Sequence, residues 1–331
     1  MSRWTVKSLS LCALIGLSCL AKAAEVNVYS YRQPQLIKPI FDVFTQETGV
    51  AVNAVYAKTG MLERLRSEGR NSPADLVFTV DIGRLTDTVN AGLTQAVQSS
   101  ALTKNIPESF RDPDGHWFGL TSRARIIATS IDRVKAGEIS TYEELTDPKW
   151  KGRIGWPPTN GSFQAMVTAM RVQWGEDETR EWLKGIQANK PAIFPKNTPT
   201  VAAAATGEIH VGFVNHYYLH RFMAEEGDSF GARNFFMNGG GPGSIVLVAG
   251  AGILETTNNN ENAEKFLRFM LSKVAQQYFA SQTFEYPLIE GVKTDRMLPP
   301  INTLKNPNID MASLTDLKGT QSMLRELKII Q

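Results

Sequence analysis

The sequence predicts an α/β protein with two lobes, joined by a hinge of two strands, and a ligand cleft between the lobes. Short apolar strand patterns alternate with helical patterns along most of the chain, which indicates a mostly parallel sheet with helices on its faces. The 331 residues are enough to bury a large core divided between two lobes. Two strands, near Arg125 and Val246, would each pass once between the lobes and form the hinge.

Residues 1–23 are predicted to be a cleaved signal peptide. Arg3 and Lys7 supply its basic start, and Leu9 to Leu20 is an apolar core that is short for a membrane span. The sequence Ala21-Lys22-Ala23 is typical of a cleavage site. We therefore expect an exported protein.

Both cysteines, Cys12 and Cys19, lie in this leader. Cys19 leaves a lipid-anchored lipoprotein as an alternative, although Gly16 stands where a lipoprotein signal favours a branched aliphatic residue. The exported chain would contain no cysteine, which excludes disulfides, thiolate catalysis and thiolate metal sites. Loss of the leader's three basic residues would leave a net charge of −1, and nothing in the composition favours nucleic-acid binding.

The first part of the chain alternates strands and helices. Pro39 cannot lie deep inside a helix, so the first helix is expected to begin near it and to end at Gly49. Asp81 is placed to cap the third helix. The predicted strands are Val26–Tyr29, Val50–Tyr56 and Leu76–Val80, and the predicted helical patterns are Leu36–Phe44, Met61–Glu68 and Gly83–Ala91.

The second part of the chain follows the predicted strand Arg125–Ser130. We expect residues 24–123 and about 250–296 to form the N-terminal lobe, and residues 124–249 and about 297–331 to form the C-terminal lobe. The predicted helices are Phe163–Trp174, Asp177–Gln187, Thr200–Thr206 and Glu261–Ala280, and the predicted strands are Ile209–Val214 and Ser244–Ala249, with a glycine-rich loop at Gly239–Gly243.

The segment Asn215-His216-Tyr217-Tyr218 joins a predicted strand to a helical pattern. Ligands of open α/β sheets bind in the crevice outside the carboxyl ends of the strands. Adjacent side chains diverge on a strand and on a helix, so both hydroxyls can meet only at an irregular position such as a first helical turn. By extension of the preference of hard divalent ions for oxygen ligands, two phenolates suit Fe(III). The alternative is an ordinary strand end and a packed helix start.

With these tyrosines and several further motifs, the chain resembles the periplasmic ferric-ion-binding proteins, the bacterial transferrin-like solute-binding components of ABC iron importers. The similarity covers essentially the whole mature chain and implies the type II periplasmic-binding fold. The motifs are Pro73-Ala74-Asp75, Asp147-Pro148-Lys149-Trp150-Lys151-Gly152, Pro195-Lys196-Asn197, the Asn-x-Tyr-Tyr of Asn215 to Tyr218, and Glu285-Tyr286-Pro287-Leu288.

The resemblance implies that Tyr217 and Tyr218 are phenolate ligands of iron and that Asn197 and Asn215 hold a synergistic anion. It also implies that the turn Asn160-Gly161-Ser162 binds this anion. Independently of the resemblance, this turn precedes a predicted helix, and free N–H groups at a helix start attract anions. An ordinary N-cap at Asn160 is the alternative.

Arg123 resembles the family's cleft arginine, which supports the ligands or the anion, because a guanidinium offers paired donors to an oxyanion. For Arg123 and Arg125 alike, the alternative is a salt-bridged hinge residue. Tyr31 and Gln33, in the loop after the first strand, are possible further cleft contacts. His216 neighbours the phenols and is expected to form hydrogen bonds at the rim, with a role behind the iron ligands as the alternative.

Three positions depart from the pattern of the family. Gln33 stands where members have a histidine, and Val80 stands where phosphate-using members have a glutamate. Phe163 lies in the region where tri-tyrosine members place a third phenol, and it has no oxygen. The resemblance therefore leaves two strong protein ligands, and an anion or water would have to fill the remaining iron positions.

The function that the resemblance implies is binding and not catalysis. The protein would bind Fe(III), with carbonate, phosphate or citrate as the synergistic anion, and deliver it as a monomer to the membrane permease and cytoplasmic ATPase of an ABC importer. One alternative is a protein of the same fold that binds a metal-free organic anion with Arg123 and the Asn160 turn. The other is an exported hydrolase, for which the sequence offers no G-x-S-x-G, H-E-x-x-H or thiol nucleophile.

Overall fold

The computed structural model describes residues 24–57, 59–104, 106–307, 309 and 311–331, so the predicted leader with Cys12 and Cys19 lies outside the described residues. Strands and helices alternate over the described chain. The strands are β1 (Glu25–Ser30), β2 (Ala51–Tyr56), β3 (Leu76–Phe78), β4 (Phe118–Ser130), β5 (Ile154–Trp156), β6 (Ala192–Ile193), β7 (Val211–Asn215), β8 (Ala232–Phe235) and β9 (Val246–Ile253). The helices are α1 (Pro34–Thr48), α2 (Met61–Glu68), α3 (Ile82–Asn90), α4 (Ser100–Thr103), α5 (Gly161–Trp174), α6 (Glu176–Ala188), α7 (Asn197–Ala205), α8 (Tyr217–Glu226), α9 (Asn260–Met270), α10 (Lys273–Tyr278) and α11 (Leu317–Glu326).

The strands of the described chain form one continuous path in the order β2-β1-β3-β9-β4-β7-β5-β6, with β8 paired to β4. β1 is parallel to β2 and β3, and β5 is parallel to β6 and β7. β4 and β9 are antiparallel to their neighbours. The α/β class is confirmed, but the expectation of a mostly parallel sheet is wrong, because two long central strands run opposite to the strands beside them.

β4 passes from one half of the sheet to the other. Its residues Phe118 to Ala124 pair with β9, and from Arg125 onwards its partners are β7 and β8. The change of partner lies between Ala124 and Arg125, and Ala124 is paired with Val246 at the start of β9. This geometry fits the two expected hinge strands, while the residue limits of the lobes stay a prediction.

α1 begins earlier than the sequence predicts. Its N-cap is Gln33, and Pro34 occupies the first helical turn, where a missing N–H costs nothing. Pro39 lies inside the helix and not at its start. The buried face that includes Ile37 and Phe41 stabilises the helix across this proline, and Gly49 ends it in the left-handed conformation, at φ 71°.

The single long helix predicted over Glu261–Ala280 is wrong. α9 ends at Met270 and α10 begins at Lys273. Between them Ser272 is an N-cap, because its Oγ accepts a hydrogen bond from the backbone N–H of Ala275 at 3.3 Å. A π-helical turn, Phe279–Thr283, follows α10.

An apolar cluster lies around β5 and β7 and contains Trp150, Trp156, Phe163 and Phe213. The ring of Phe163 meets those of Trp156 and Phe213 edge to face, at centroid distances of 5.8 Å and 5.9 Å. Phe163 therefore packs in the core beneath the start of α5. Within the described part of the chain, no helix combines the length and the apolar character that a membrane crossing requires.

Candidate functional site

A cleft of about 240 Å³ lies at the carboxyl ends of β1, β3, β5 and β7. The starts of four helices border it, since Gln33, Asp81, Gly161 and Tyr217 cap or begin α1, α3, α5 and α8. Each helix start carries a partial positive charge. The described lining residues also include four arginines against two carboxylates, so the cleft favours an anionic ligand. The arginines are Arg32, Arg84, Arg123 and Arg221, and the carboxylates are Asp81 and Glu285.

Tyr217 and Tyr218 are the first two residues of α8, immediately after β7 and His216. Their rings stack with centroids 4.4 Å apart and an angle of 30° between the planes. The guanidinium carbon of Arg221 lies 5.1 Å and 5.4 Å from the two ring centroids. The structure therefore brings the two phenols together on one side of the first helical turn, as the sequence predicts.

Burial raises the pKa of the Tyr218 phenol well above its ordinary value, and the neighbouring Tyr217 raises it further. Arg221 and the nearby amide of Asn197 act in the opposite direction. The Tyr218 hydroxyl therefore keeps its proton at neutral pH. Only a strong positive charge at the oxygen would displace that proton, which is what a multivalent cation supplies.

Asn197 and Asn215 approach the phenols from two other elements. Asn197 begins α7 and is buried, and both atoms of its amide lack a hydrogen-bond partner among the described residues. Asn215 ends β7, and its Oδ1 accepts a hydrogen bond from Nη1 of Arg125 at 3.0 Å. That bond turns the amide nitrogen of Asn215 away from Arg125. Asn197 is not among the described residues that line the cleft, and its amide lies next to the Tyr218 hydroxyl, whose pKa it lowers.

The turn at Asn160 caps α5. Its Oδ1 accepts hydrogen bonds from the backbone N–H of Ser162 at 3.0 Å and from the Ser162 hydroxyl at 2.6 Å. The ordinary N-cap, which was the alternative for Asn160, is therefore present. Gly161 follows in the wall of the cleft, and a Cβ built on it would lie 4.0 Å from Nη1 of Arg84. Arg84 belongs to α3, so a cation of one half of the protein faces a helix start of the other.

Within the described chain, neither Arg123 nor Arg125 forms the salt bridge that was the alternative for both. Arg123 is buried and lines the cleft, but Glu285 forms its ion pair with Arg32, at 3.0 Å and 2.8 Å through both guanidinium ends. Arg125 donates to Asn215, an uncharged partner. Arg123 is therefore placed to support an anion in the cleft, whereas Arg125 holds Asn215 from behind.

The acceptor oxygens of the residues after β1 and β3 are already used by donors of the protein. The hydroxyl of Tyr31 accepts a hydrogen bond from the backbone N–H of Leu62 at 3.1 Å, at the start of α2. Oε1 of Gln33 accepts from Gln35 at 2.6 Å. Asp81 caps α3 by accepting from the N–H of Arg84 at 2.9 Å, and it also pairs with the Arg84 guanidinium. The expectation that Asp81 is a helix cap is correct.

His216 is fully buried and does not lie at the rim, where we expected it. Its Nδ1 accepts a hydrogen bond from the N–H of Ala124 at 3.1 Å, and its Nε2 donates to the carbonyl of Phe284 at 2.7 Å. Burial lowers its pKa to about 4, so the ring stays neutral. His216 immediately precedes the phenols, so its hydrogen bond to Ala124 fixes the start of α8 to the hinge strand β4.

Sequence reasoning missed Arg84, Arg221 and the pair of Arg32 with Glu285. Arg221 could have been found, because it lies four residues after Tyr217 and therefore one helical turn away on the same face. Arg84 could have been found in the same way, because it lies three residues after Asp81 and therefore on the same face of the helix. Arg32 and Glu285 are 253 residues apart in the chain, and no local pattern connects them.

Among the described residues, no group of three or more His, Cys, Asp or Glu side chains could hold a metal ion. The oxygen donors that line the cleft include the phenols of Tyr217 and Tyr218, whereas the carboxylates of Asp81 and Glu285 are already paired with arginines. Phenol oxygens are hard donors, so the cation that they select is hard and highly charged.

The α/β halves, the crossing strands and the cleft between them define a solute-binding protein of the periplasmic type. The sequence profile of the family described as bacterial extracellular solute-binding protein matches residues 71–313, and the chain belongs to this family.

Three relatives specify the resemblance. Iron uptake protein A1 of Synechocystis sp. is 38% identical over 301 residues, which cover 88% of this chain and 83% of the relative. The structure of apo ferric ion-binding protein A from Pasteurella haemolytica has a TM-score of 0.86 at 34% identity and covers 93% of this chain and 99% of that chain. A Trichodesmium protein in complex with iron and citrate has a TM-score of 0.83 at 32% identity, covering 92% and 99%. The resemblance to ferric-ion-binding proteins is confirmed.

Proposed function

We propose that this protein binds Fe(III) in the periplasm through the phenolates of Tyr217 and Tyr218, together with a small anion, and delivers it to an ABC importer. The observation that carries the proposal is the stacked pair of phenols at the start of α8, in a cleft where arginines outnumber carboxylates. Fe(III) suits phenolate oxygen, and its charge offsets the cost of removing the Tyr218 proton. Relatives whose names refer to iron uptake support the same cargo.

The anion completes the iron ligands that the protein lacks. Asn215, Arg123 and the start of α5 at Gly161 line the cleft and would bind it, and Asn197 would support them from beside the Tyr218 hydroxyl. Carbonate, phosphate and citrate all present oxygens of the required kind. An anion with several carboxylates supplies the most donors, and citrate accompanies iron in the Trichodesmium structure.

Release of the iron would follow from a fall in pH. Metal ligands must be deprotonated to bind, so acidification that protonates the phenols and the anion favours loss of iron. The N-terminal lobe (24–123 and about 250–296) would close over the C-terminal lobe (124–249 and about 297–331) by bending at β4 and β9. The position of Arg84 beside Gly161 supports such closure.

The protein would act as a monomeric carrier that docks on the permease of the importer, and not as an enzyme. A second candidate is the binding of a metal-free organic anion, because the arginines and helix starts alone would attract one. The two candidates differ in whether the phenols lose their protons.

The test is metal analysis and a visible spectrum of the mature protein loaded with ferric citrate. We expect one Fe(III) per chain and a phenolate-to-iron charge-transfer colour. Tyr217→Phe should abolish the colour and weaken iron binding more than about 100-fold, because losing a direct ligand costs more than losing a supporting residue. Tyr56→Phe, at a half-buried tyrosine outside the cleft, is the matched control and should behave as wild type.

A colourless wild-type protein that binds citrate equally well with and without iron would favour the metal-free candidate. A Tyr217→Phe protein that keeps the colour unchanged would rule out the assignment of the phenols.

A further inference from the structure

Two arginines of the cleft have no carboxylate partner among the described residues. The two carboxylates that line the cleft are already paired, with Arg32 and Arg84. Arg123 and Arg221 line the same cleft, and no salt bridge joins either of them to a described residue. Arg123 is buried on β4, whereas Arg221 is half-buried on α8, one helical turn after Tyr217. The described part of the protein therefore leaves two positive charges of the cleft without a counterion.

The guanidinium of Arg221 lies against both phenols. Its carbon is 5.1 Å from the ring centroid of Tyr217 and 5.4 Å from that of Tyr218, within the range of an attractive contact between a cation and an aromatic ring. Burial raises the pKa of the Tyr218 phenol, and the charge of Arg221 opposes this effect. The positive charge of Arg221 is therefore close to the oxygens that would bind a metal.

Contact with the rings does not use the hydrogen-bond donors of Arg221. A guanidinium stacks on a ring through its face, which leaves the N–H groups at its edges for other partners. No hydrogen bond joins these N–H groups to another described residue. Two parallel N–H bonds at one edge match the two oxygens of a carboxylate. A carboxylate bound there would lie next to the phenols without being a ligand of the metal itself.

The charge of the proposed metal favours the same kind of ligand. Fe(III) with two phenolates keeps one positive charge, and Arg123 and Arg221 add two more. An anion with a single carboxylate would leave most of this charge without a partner, and unpaired charge is costly where water is partly excluded. An anion with further carboxylates would neutralise it.

We propose that the anion beside the iron is a hydroxy acid with two or more carboxylates, and that Arg221 selects it by binding a carboxylate that does not touch the metal. The hydroxyl and another carboxylate would be iron ligands, since both are hard oxygen donors. The alternative role of Arg221 is contact with the phenol rings alone. This inference rests on the proposed function, because it concerns the anion that accompanies Fe(III).

The experiment compares L-malate with L-lactate, which offer iron the same hydroxyl and carboxylate and differ by one further carboxylate. Each is titrated into the iron-loaded mature protein, and exchange of the accompanying anion is followed by the shift of the charge-transfer band. We expect the wild type to bind malate about tenfold or more tightly than lactate, as is typical of a hydrogen bond to a charged group. Arg221→Gln should weaken the binding of malate about tenfold and that of lactate less than about threefold.

The ratio of the two affinities isolates the carboxylate contact. Loss of the ring contact in Arg221→Gln changes the two phenols in the same way whichever anion is present, so that effect cancels in the ratio. Arg180→Gln, at a surface arginine outside the cleft, is the control and should keep the preference of the wild type for malate. Crystals of the iron-loaded protein with malate should show the second carboxylate on the guanidinium of Arg221.

Three results would overturn the proposal. They are equal affinities of the wild type for malate and lactate, an unchanged preference in folded Arg221→Gln, and crystals in which the second carboxylate lies away from Arg221. In each of them the protein still binds iron and keeps its colour, so the proposed function stands. A wild-type protein that takes up no iron would overturn both proposals, and its lack of colour shows this before any anion is titrated.

Discussion

The two walls of the cleft differ in how their polar groups are already used. On the wall formed by β7, α7 and α8, the phenols of Tyr217 and Tyr218 are stacked together, and the amide of Asn197 has no partner within the described chain. On the opposite wall the Tyr31 hydroxyl is bonded to the N–H of Leu62 and Asp81 caps α3. The first wall therefore offers the candidate ligands together with the Arg221 guanidinium, whereas the second wall offers charge alone.

Because the two walls differ in this way, the cleft can still bind a ligand although Gln33 and Val80 stand where the family has a histidine and a glutamate. Gln33 and Val80 cannot bind iron in their place, but Arg84 lies on the same wall and its guanidinium reaches towards Gly161. A guanidinium binds an anion and not a cation. The second wall is thus suited to the anion that accompanies the metal.

The largest expected effect concerns what holds the second wall in place. Arg32 follows β1 and is buried against Glu285, and removal of one member of such a pair leaves an uncompensated charge. We expect Arg32→Met to lower the free energy of unfolding by about 3–5 kcal/mol. Urea denaturation of the iron-free protein measures it. The exposed pair of Lys38 with Asp42 is the control, and Lys38→Met should cost less than about 1 kcal/mol.

The pH dependence gives this prediction a second readout. Burial alone would raise the pKa of Glu285, but the Arg32 guanidinium outweighs it and the pKa is lowered. Its contribution to stability is therefore complete above the ordinary carboxyl pKa and is lost as the pH falls through the lowered value. In Arg32→Met the main cause that lowers this pKa is lost, and only the weaker effects of Arg123 and Thr121 oppose burial, so the pKa of Glu285 rises. The stability gap between the two proteins should narrow on acidification; a gap independent of pH would contradict the pairing.

A smaller effect is expected from the charge that the second wall contributes. Arg84→Gln should weaken the binding of ferric citrate about tenfold or more, because a hydrogen bond to a charged group is worth about 1.5–3 kcal/mol. Competition with a coloured chelator measures the affinity. Arg180→Gln removes a surface arginine that pairs with Glu326 and serves as the control. Equal affinities of Arg84→Gln and the control would mean that the second wall does not touch the anion.

The smallest effect is expected at Tyr31. Its hydroxyl already accepts the N–H of Leu62, so Tyr31→Phe should change iron affinity less than about threefold while destabilising the start of α2 by about 1 kcal/mol. The same chelator competition, with thermal unfolding beside it, measures both quantities. If Tyr31→Phe lost iron as completely as Tyr217→Phe, Tyr31 would be a ligand and the contrast between the walls would be wrong.

Much of the fold could be predicted because its signals are local. The bounds of α2, the cap at Asp81 and the placement of Tyr217 on a first helical turn all follow from patterns a few residues long. The start of β4 could not, because the polar residues Thr121 and Ser122 interrupt its apolar pattern although the whole strand is buried.

The candidate site divides in the same way. The two phenols are neighbours in the sequence, and so are the residues of the Asn160 turn. Each group could therefore be proposed from the sequence. The partner of Arg32, the unpaired edge of Arg125 and the use of the Tyr31 hydroxyl depend on residues that only folding brings together. For these, the sequence gives residue types but no partners.

Because the phenols and the anion-facing turn belong to one wall, the opposite wall can be altered without disturbing them. Gln33 is exposed at the rim, and its side chain accepts a local hydrogen bond from Gln35. A sequence can thus exchange one accompanying anion for another, or replace the anion by a protein ligand, through a few changes after β1 and β3. The architecture thereby separates the evolution of selectivity from the preservation of the proposed iron-binding pair.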